Sequence, residues 1–216
     1  MKHVAIIVAH PDDETLWAGG TIISNPHWNY FIVSLCNAND KDRSKRFYEA
    51  LNVFRAEGAM GNLDDGPEQK SLDKKVVEDL IMQLLPSKQY DLVITHSPAG
   101  EYTRQRRHEE TSAAVINLWQ AGKIQTKKLW AFAYEDGNKA YFPKPQKKAT
   151  IYKALTKPLW LKKHNIIIEI YGFSKNSWVS QATPKNEAFY EFTNPLQAMQ
   201  WLSIHKKNLF RDSGSI

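Results

Sequence analysis

Val4 to Val8 is an unbroken apolar run, which predicts a strand buried on both faces of a parallel sheet. Glu14 to Ile23 follows as a helix weakened by Gly19-Gly20, and Tyr30 to Leu35 as a second strand. Arg43 to Glu57 carries Phe47, Ala50, Leu51 and Phe54 at helical spacing, with Gly58 as a stop. Asp73 to Leu85 repeats the pattern through Val76, Val77, Leu80, Ile81 and Leu84, and Pro86 closes it. Leu92 to Thr95 reads as a strand, His108 to Trp119 as a helix and Lys128 to Tyr134 as a strand. This alternation predicts a doubly wound α/β fold with a mostly parallel sheet.

The last third is less regular. Residues 137–148 are rich in Pro and Lys and read as an exposed excursion. Thr156-Lys157-Pro158 has the form of a helix start. Ile166-Ile167-Ile168 fits helix or strand equally, and Asn194-Pro195 opens a last helix through about His205. With no repeat, low-complexity tract or linker, residues 1–216 are expected to form a single domain.

Composition narrows the class. With 42% hydrophobic and 24% charged residues in 216, the chain can bury a full core. The single Cys36 excludes an internal disulfide, and its place after a strand predicts a buried thiol rather than a nucleophile. The net charge of +6 comes from scattered basic groups without a nucleic-acid-binding signature, so no nucleic-acid partner is expected. No signal peptide or apolar run of membrane-spanning length is visible, which predicts a cytoplasmic protein with no membrane partner. The sequence leaves a homo-oligomer open.

The chemistry concentrates in two clusters, each placed after a strand, where open α/β sheets bind ligands. His10-Pro11-Asp12-Asp13-Glu14 follows the first strand, and His96 to His108 follows the Leu92 strand. Adjacent carboxylates leaving a buried strand repel each other, and a divalent cation resolves that cost. His10 and Asp13 can converge on one ion, which imidazole and carboxylate suit as Zn2+ or Fe2+, with His108 as the candidate third ligand. Asp12 is then left as general base. The plain alternative is a helix-capping turn at Asp12 or Asp13 and a solvated His108. His3, His27 and His164 read as structural or surface residues, and His205 as a partner of the last helix dipole. Trp17 reads as core, with sugar stacking as the other reading; Asp64-Asp65 read as a turn and Arg43 and Arg46 as surface charge, with pocket lining as the other reading of each.

Ala9-His10-Pro11-Asp12-Asp13-Glu14 resembles the signature of the PIG-L (LmbE-like) family of N-acetylsugar deacetylases. The stretch from Thr95 to Tyr102 is similar to that family's second motif, and Tyr171 to Ser174 and Glu187 to Tyr190 to its C-terminal segments. The resemblance implies a Rossmann-like fold and a zinc-dependent hydrolase that removes acetyl from an N-acetylated sugar or related small molecule. It implies His10, Asp13 and His108 as metal ligands and Asp12 as base. It also exposes a departure. Where the family often has an oxyanion-stabilising His three residues before its last ligand, this chain has Gln105, which donates a hydrogen bond but carries no charge. Tyr102, Arg104, Arg106 or His96 are the residues left to make up the difference. Within Arg104 to Arg107, a solvated basic loop and an anion-binding segment are both open.

Overall fold

The computed structural model describes residues 1–103 and 105–211, with side chains as far as His205. Seven strands form one sheet. In chain order they are β1 (His3–Val8), β2 (Asn29–Cys36), β3 (Glu57–Leu63), β4 (Leu92–Thr95), β5 (Leu129–Phe132), β8 (Ile151–Ala154) and β9 (Asn186–Phe192). Their spatial order is β3-β2-β1-β4-β5-β9-β8. The first five are parallel, and β9 and β8 add antiparallel on one side. The doubly wound, mostly parallel α/β architecture is therefore as expected.

Helices α1 (Asp13–Ser24), α2 (Lys41–Phe54), α3 (Lys74–Leu84) and α4 (Arg106–Gln120) alternate with the parallel strands. Side-chain alternation along β1 explains why both faces must be covered. Val4, Ile6 and Val8 enter one core with Trp17, Phe47 and Phe54, while Ala5 and Ile7 enter the other with Val77, Ile81 and Val115. The strand order reverses between β1 and β4, which places a crevice beyond their carboxyl ends.

The structure corrects several expectations. The helix drawn from Arg43 to Glu57 stops at Phe54, because Arg55 turns left-handed at φ 54°. Gly58 is no stop: it lies within β3, where a Cβ would strike the Ile32 carbonyl of β2. The segment Lys128 to Tyr134 divides at Ala133 into β5 and β6 (Tyr134–Glu135), and β6 pairs with β7 (Lys144–Pro145). The 137–148 excursion is thus a short hairpin, most of it exposed. Helix α5 (Lys157–Asn165) begins after Thr156 as expected and continues into one π-helical turn, Ile166–Ile170, so the isoleucines form neither strand nor α-helix. After α6 (Trp178–Ala182), α7 (Pro195–Arg211) runs past His205. That residue therefore sits away from the helix end, its Nδ1 2.9 Å from the Trp201 carbonyl.

One fully buried ion pair ties three elements together. Lys163 of α5 donates to Glu187 of β9 at 2.8 Å. Glu187 also accepts from Gly20 N–H, Thr21 N–H and the Thr21 hydroxyl of α1, each at 2.7 Å. Among the described residues, no helix is long and apolar enough to cross a membrane.

Candidate metal centre

The loop after β1 turns sharply into α1. Asp12 takes φ 122°, a strained conformation for a non-glycine residue, and its carbonyl accepts the N–H groups of Thr15 and Leu16. Neither Asp12 nor Asp13 caps α1 with its side chain, so the capping alternative does not explain the acidic pair. That strained turn sends the two carboxylates in different directions. Asp13 points inward, where its Oδ1 accepts from Trp17 Nε1 at 3.1 Å.

His108 reaches the same point from the first turn of α4, after a loop that turns at Gly100 (φ 70°). Three atoms meet there. His10 Nδ1 is 3.1 Å from Asp13 Oδ2 and 3.2 Å from His108 Nε2, and His108 Nε2 is 3.3 Å from Asp13 Oδ2. All three residues are buried. A tetrahedral zinc with bonds of about 2.0–2.2 Å separates its ligands by roughly 3.3 Å. The triangle has the dimensions of one face of that tetrahedron.

The hydrogen-bond network makes these atoms acceptors. His108 donates through Nδ1 to Glu101 Oε2 at 2.6 Å, which leaves a lone pair on Nε2. His10 faces Asp65 Oδ2 through Nε2 at 3.1 Å, close enough for an ion pair but not aligned as a hydrogen bond. With the proton on that nitrogen, Nδ1 also presents a lone pair. Two imidazole lone pairs and a carboxylate within 3.3 Å of one another repel unless a cation or proton joins them. Burial opposes a charged His10 ring, but Asp13 and Asp65 outweigh it and raise its pKa to about 9. The donor set therefore fits a divalent metal, and His10, Asp13 and His108 are the residues that would hold it.

Asp12 stands beside the triangle and outside it. Burial, together with the neighbouring Asp13 charge, pushes its carboxyl up to about 7. Arg43 opposes that shift: its Nη2 lies 3.4 Å from Asp12 Oδ2 and donates to the Pro11 carbonyl at 2.9 Å. The residue read mainly as surface charge thus braces the turn that carries Asp12. Arg46 instead reaches the Ile170 carbonyl at 2.9 Å.

Tyr102 packs edge-on against His108, with ring centroids 5.4 Å apart, and its hydroxyl accepts from Gln105 Nε2 at 3.1 Å. Burial raises the Tyr102 pKa, so the phenol stays protonated. His96 cannot take the place of a substrate-facing histidine. It is fully buried and stacked on His108 at 3.9 Å, and it donates through Nδ1 to Glu101 while Nε2 accepts from Ala9 N–H at 2.9 Å. Arg104 lies outside the described residues, and Arg106 is exposed. Arg107 is buried and structural, donating to the Asp64 carbonyl at 2.5 Å and the Lys70 carbonyl at 2.7 Å and pairing with Glu110. It pins the loop that delivers Asp65 to His10. Cys36 is buried at the end of β2, and burial raises its pKa.

Three supporting residues carry roles that the sequence does not assign, although Glu14 and Glu101 lie within the two motifs and Asp65 is a candidate pocket residue. Glu101 joins His96 and His108 and is held by Ser97 N–H at 2.9 Å; burial opposes its ionisation, but the two rings bring its pKa down to about 2. Asp65 orients His10. Glu14 accepts from Tyr171 at 2.7 Å, linking the first motif to the end of the π-helical turn. A two-carboxylate signal existed, since Glu101 and Asp65 both lie in loops after strands, but nothing in spacing separates them from ordinary turn acids. A groove of about 470 Å³ between Ile22, Phe54 and Ile166 lies toward the amino ends of the strands, away from these groups.

Known proteins share this architecture. N,N'-diacetylchitobiose deacetylase from Pyrococcus horikoshii superposes with a TM-score of 0.64 at 18% identity, covering 90% of this chain and 85% of that one. A teicoplanin deacetylase in its zinc-inhibited form gives 0.61 at 13% identity, covering 88% and 97%. The 4-carboxy-2-hydroxymuconate hydratase of Pseudomonas putida gives 0.62 at 14% identity, covering 90% and 97%. At such identities the likeness establishes the fold, and the hydratase shows that this fold does not fix the chemistry. In sequence, an uncharacterized protein of Acanthamoeba polyphaga mimivirus is 24% identical over 146 residues, 60% of this chain and 61% of that protein. The match therefore spans less than two thirds of that relative's length. Residues 5–119, which carry both motifs, match the family model described as PIG-L, GlcNAc-PI de-N-acetylase, and the chain belongs to that family.

Proposed function

We propose that the chain is a zinc-dependent N-deacetylase of an N-acetylated sugar or related small conjugate, and that residues 1–216 form one domain of that kind. The observation that carries this reading is the triangle of His10 Nδ1, Asp13 Oδ2 and His108 Nε2, with edges of 3.1–3.3 Å. Zinc held there would polarise the amide carbonyl and lower the pKa of a water molecule, with Fe2+ the other metal the donors suit.

The remaining work falls to the chain's own residues. Asp12 accepts a proton from the attacking water at its carboxylate, a role that suits a base titrating near neutrality. The water oxygen bonds to the carbonyl carbon, the C–N bond breaks, and Asp12 returns the proton to the departing amine nitrogen. Amide and water thus become amine and acetate. Arg43 fixes the Asp12 turn. Tyr102 accepts from Gln105 and directs its own proton toward the developing negative oxygen, with Gln105 setting the orientation of the phenol. A neutral pair of this kind stabilises less than a charged imidazole, and loss of a positioned donor costs on the order of a hundredfold in rate.

The test is acetate release from a panel of N-acetylated sugars by the zinc-loaded protein and by Asp12→Ala. Release by the wild type, lost in the variant and on chelation, is the expected result. Saturable sugar binding without acetate release, indifferent to chelator, would overturn the reading in favour of a binding module.

A further inference from the structure

The His10 ring has two nitrogen edges, and the metal-ligand triangle uses one of them. The other nitrogen, Nε2, finds no hydrogen-bond partner among the described residues, although His10 is only 7% exposed. Asp65 Oδ2 lies 3.1 Å from it without the alignment of a hydrogen bond. A buried polar atom left unpaired is costly and calls for an explanation. Cys36, fully buried, completes the group. One ligand atom from each of His10, Cys36 and Asp65 lies within 4.8 Å of the others.

Backbone and loops hold these three together. Cys36 N–H donates to the Ala9 carbonyl at 2.9 Å, fastening the end of β2 beside the residue that precedes His10. The register of β2 against β3 shifts between Ser34 and Cys36, so that Cys36 pairs with Leu63, two residues before Asp65. Gln69 donates to Asp65 Oδ1 at 2.8 Å, which leaves Oδ2 to the His10 edge. Arg107 pins the same loop through the Asp64 and Lys70 carbonyls. Donors fixed in this way need little reorganisation to bind.

We propose that His10 Nε2, Cys36 Sγ and Asp65 Oδ2 form a second metal site, sharing His10 with the triangle, that takes a thiophilic divalent cation such as cadmium. The donor chemistry supports that class. Thiolate selects soft cations, and imidazole and carboxylate complete a set that zinc-like ions accept. The incoming cation replaces two protons, one on the Cys36 sulfur and one on His10 Nε2, and both leave to solvent. The local charge is therefore unchanged, and nothing is oxidised or reduced. Burial and the Asp65 charge keep the free thiol protonated, and a bound cation reverses both effects. Entry is from the Asp65 side, where that side chain is 24% exposed. Two cations on one ring repel, so this site is the weaker and fills after the triangle. It does not rest on the deacetylase reading, since neither Cys36 nor Asp65 holds the triangle's metal.

Cadmium chloride titrated into the zinc-loaded chain tests the site, read by the ultraviolet charge-transfer band of a cadmium thiolate and by metal analysis. Cys36 is the one thiol in the sequence, so the band reports it alone. One cadmium per chain with the band, and zinc retained, is the expected result. Cys36→Ala should abolish the band and keep one zinc. Asp65→Asn leaves the thiol in place and should weaken cadmium about 10- to 100-fold, the scale on which one carboxylate beside a metal-bound histidine acts. No band, a band at one cadmium per two chains, displacement of zinc by cadmium, or unchanged affinity in Asp65→Asn would each overturn the proposal. His108→Ala separates the two ideas. It dismantles the triangle and should keep the band, and loss of the band there would also overturn the second site. A chain that releases no acetate but shows the band in both forms loses the deacetylase reading alone.

Discussion

Glu101 and His108 share a hydrogen bond of 2.6 Å, from the ring Nδ1 to the carboxylate Oε2, and both side chains are fully buried. The bond fixes which nitrogen of His108 faces His10 and Asp13. The same carboxylate accepts from Ser97 N–H and His96. Three donors converge on Glu101, and only a carboxylate can satisfy them all.

Glu101→Gln therefore brings an amide NH2 against a donor. Zinc affinity is expected to fall about 10- to 100-fold, the usual effect of losing the carboxylate behind a metal-bound histidine. Competition against a coloured chelator measures it. An unchanged affinity would show that packing alone orients His108.

Asp12→Asn keeps the shape of the base and tolerates the positive φ that Asp12 adopts, so the turn should survive. The expected result is one bound zinc with kcat reduced about 10²- to 10⁴-fold. Because Asp12 works only when ionised, the wild-type rate should fall as pH drops through the acid limb. Arg43 favours the ionised form. Arg43→Met should therefore move that limb to higher pH, which a kcat/KM profile reads directly.

Metal uptake should itself depend on pH. Without metal the His10 ring holds a proton up to about 9, above its ordinary 6.5. Zinc must displace that proton, so apparent affinity should rise with pH toward 9 and level off beyond it. The metal-free protein should show the complementary trend. A folded-state pKa above the unfolded value contributes stability that is complete below 6.5 and lost as pH rises through about 9. Calorimetry of zinc binding in buffers of different ionisation enthalpy should detect proton release between these limits.

The buried Lys163–Glu187 pair bears on stability. Glu187→Ala strands the Lys163 ammonium in a dry interior and also frees three α1 donors. A loss of about 3–5 kcal/mol is expected in denaturant unfolding. Lys163→Met should cost less, since Glu187 keeps its backbone and hydroxyl donors.

How far the sequence reveals this molecule depends on burial. Strands β1, β2, β4 and β5 are buried on both faces and read directly from their apolar runs, as does the αβ alternation. Strands β3 and β8 lie at the two edges of the sheet, half exposed, and their mixed residues carry no periodic signal. In the candidate site, the cost of a carboxylate pair after a buried strand leaves a cation and a capping turn both open at His10 to Asp13. The family resemblance singles out His10, Asp12, Asp13 and His108, which the structure brings together. The roles of Glu101, Asp65 and Arg43 are not legible, although Asp65 and Arg43 are candidate pocket residues from the sequence. Their positions depend on loop conformation, on Gly100 turning Glu101 inward and Arg107 pinning the loop of Asp65, which spacing along the chain does not encode.

The most direct test is the zinc stoichiometry of the purified chain after chelation and reloading, compared with His108→Ala. One zinc per chain in the wild type and none in the variant is the result this account predicts. A wild type that binds no zinc, or a variant that keeps a full equivalent, would contradict it.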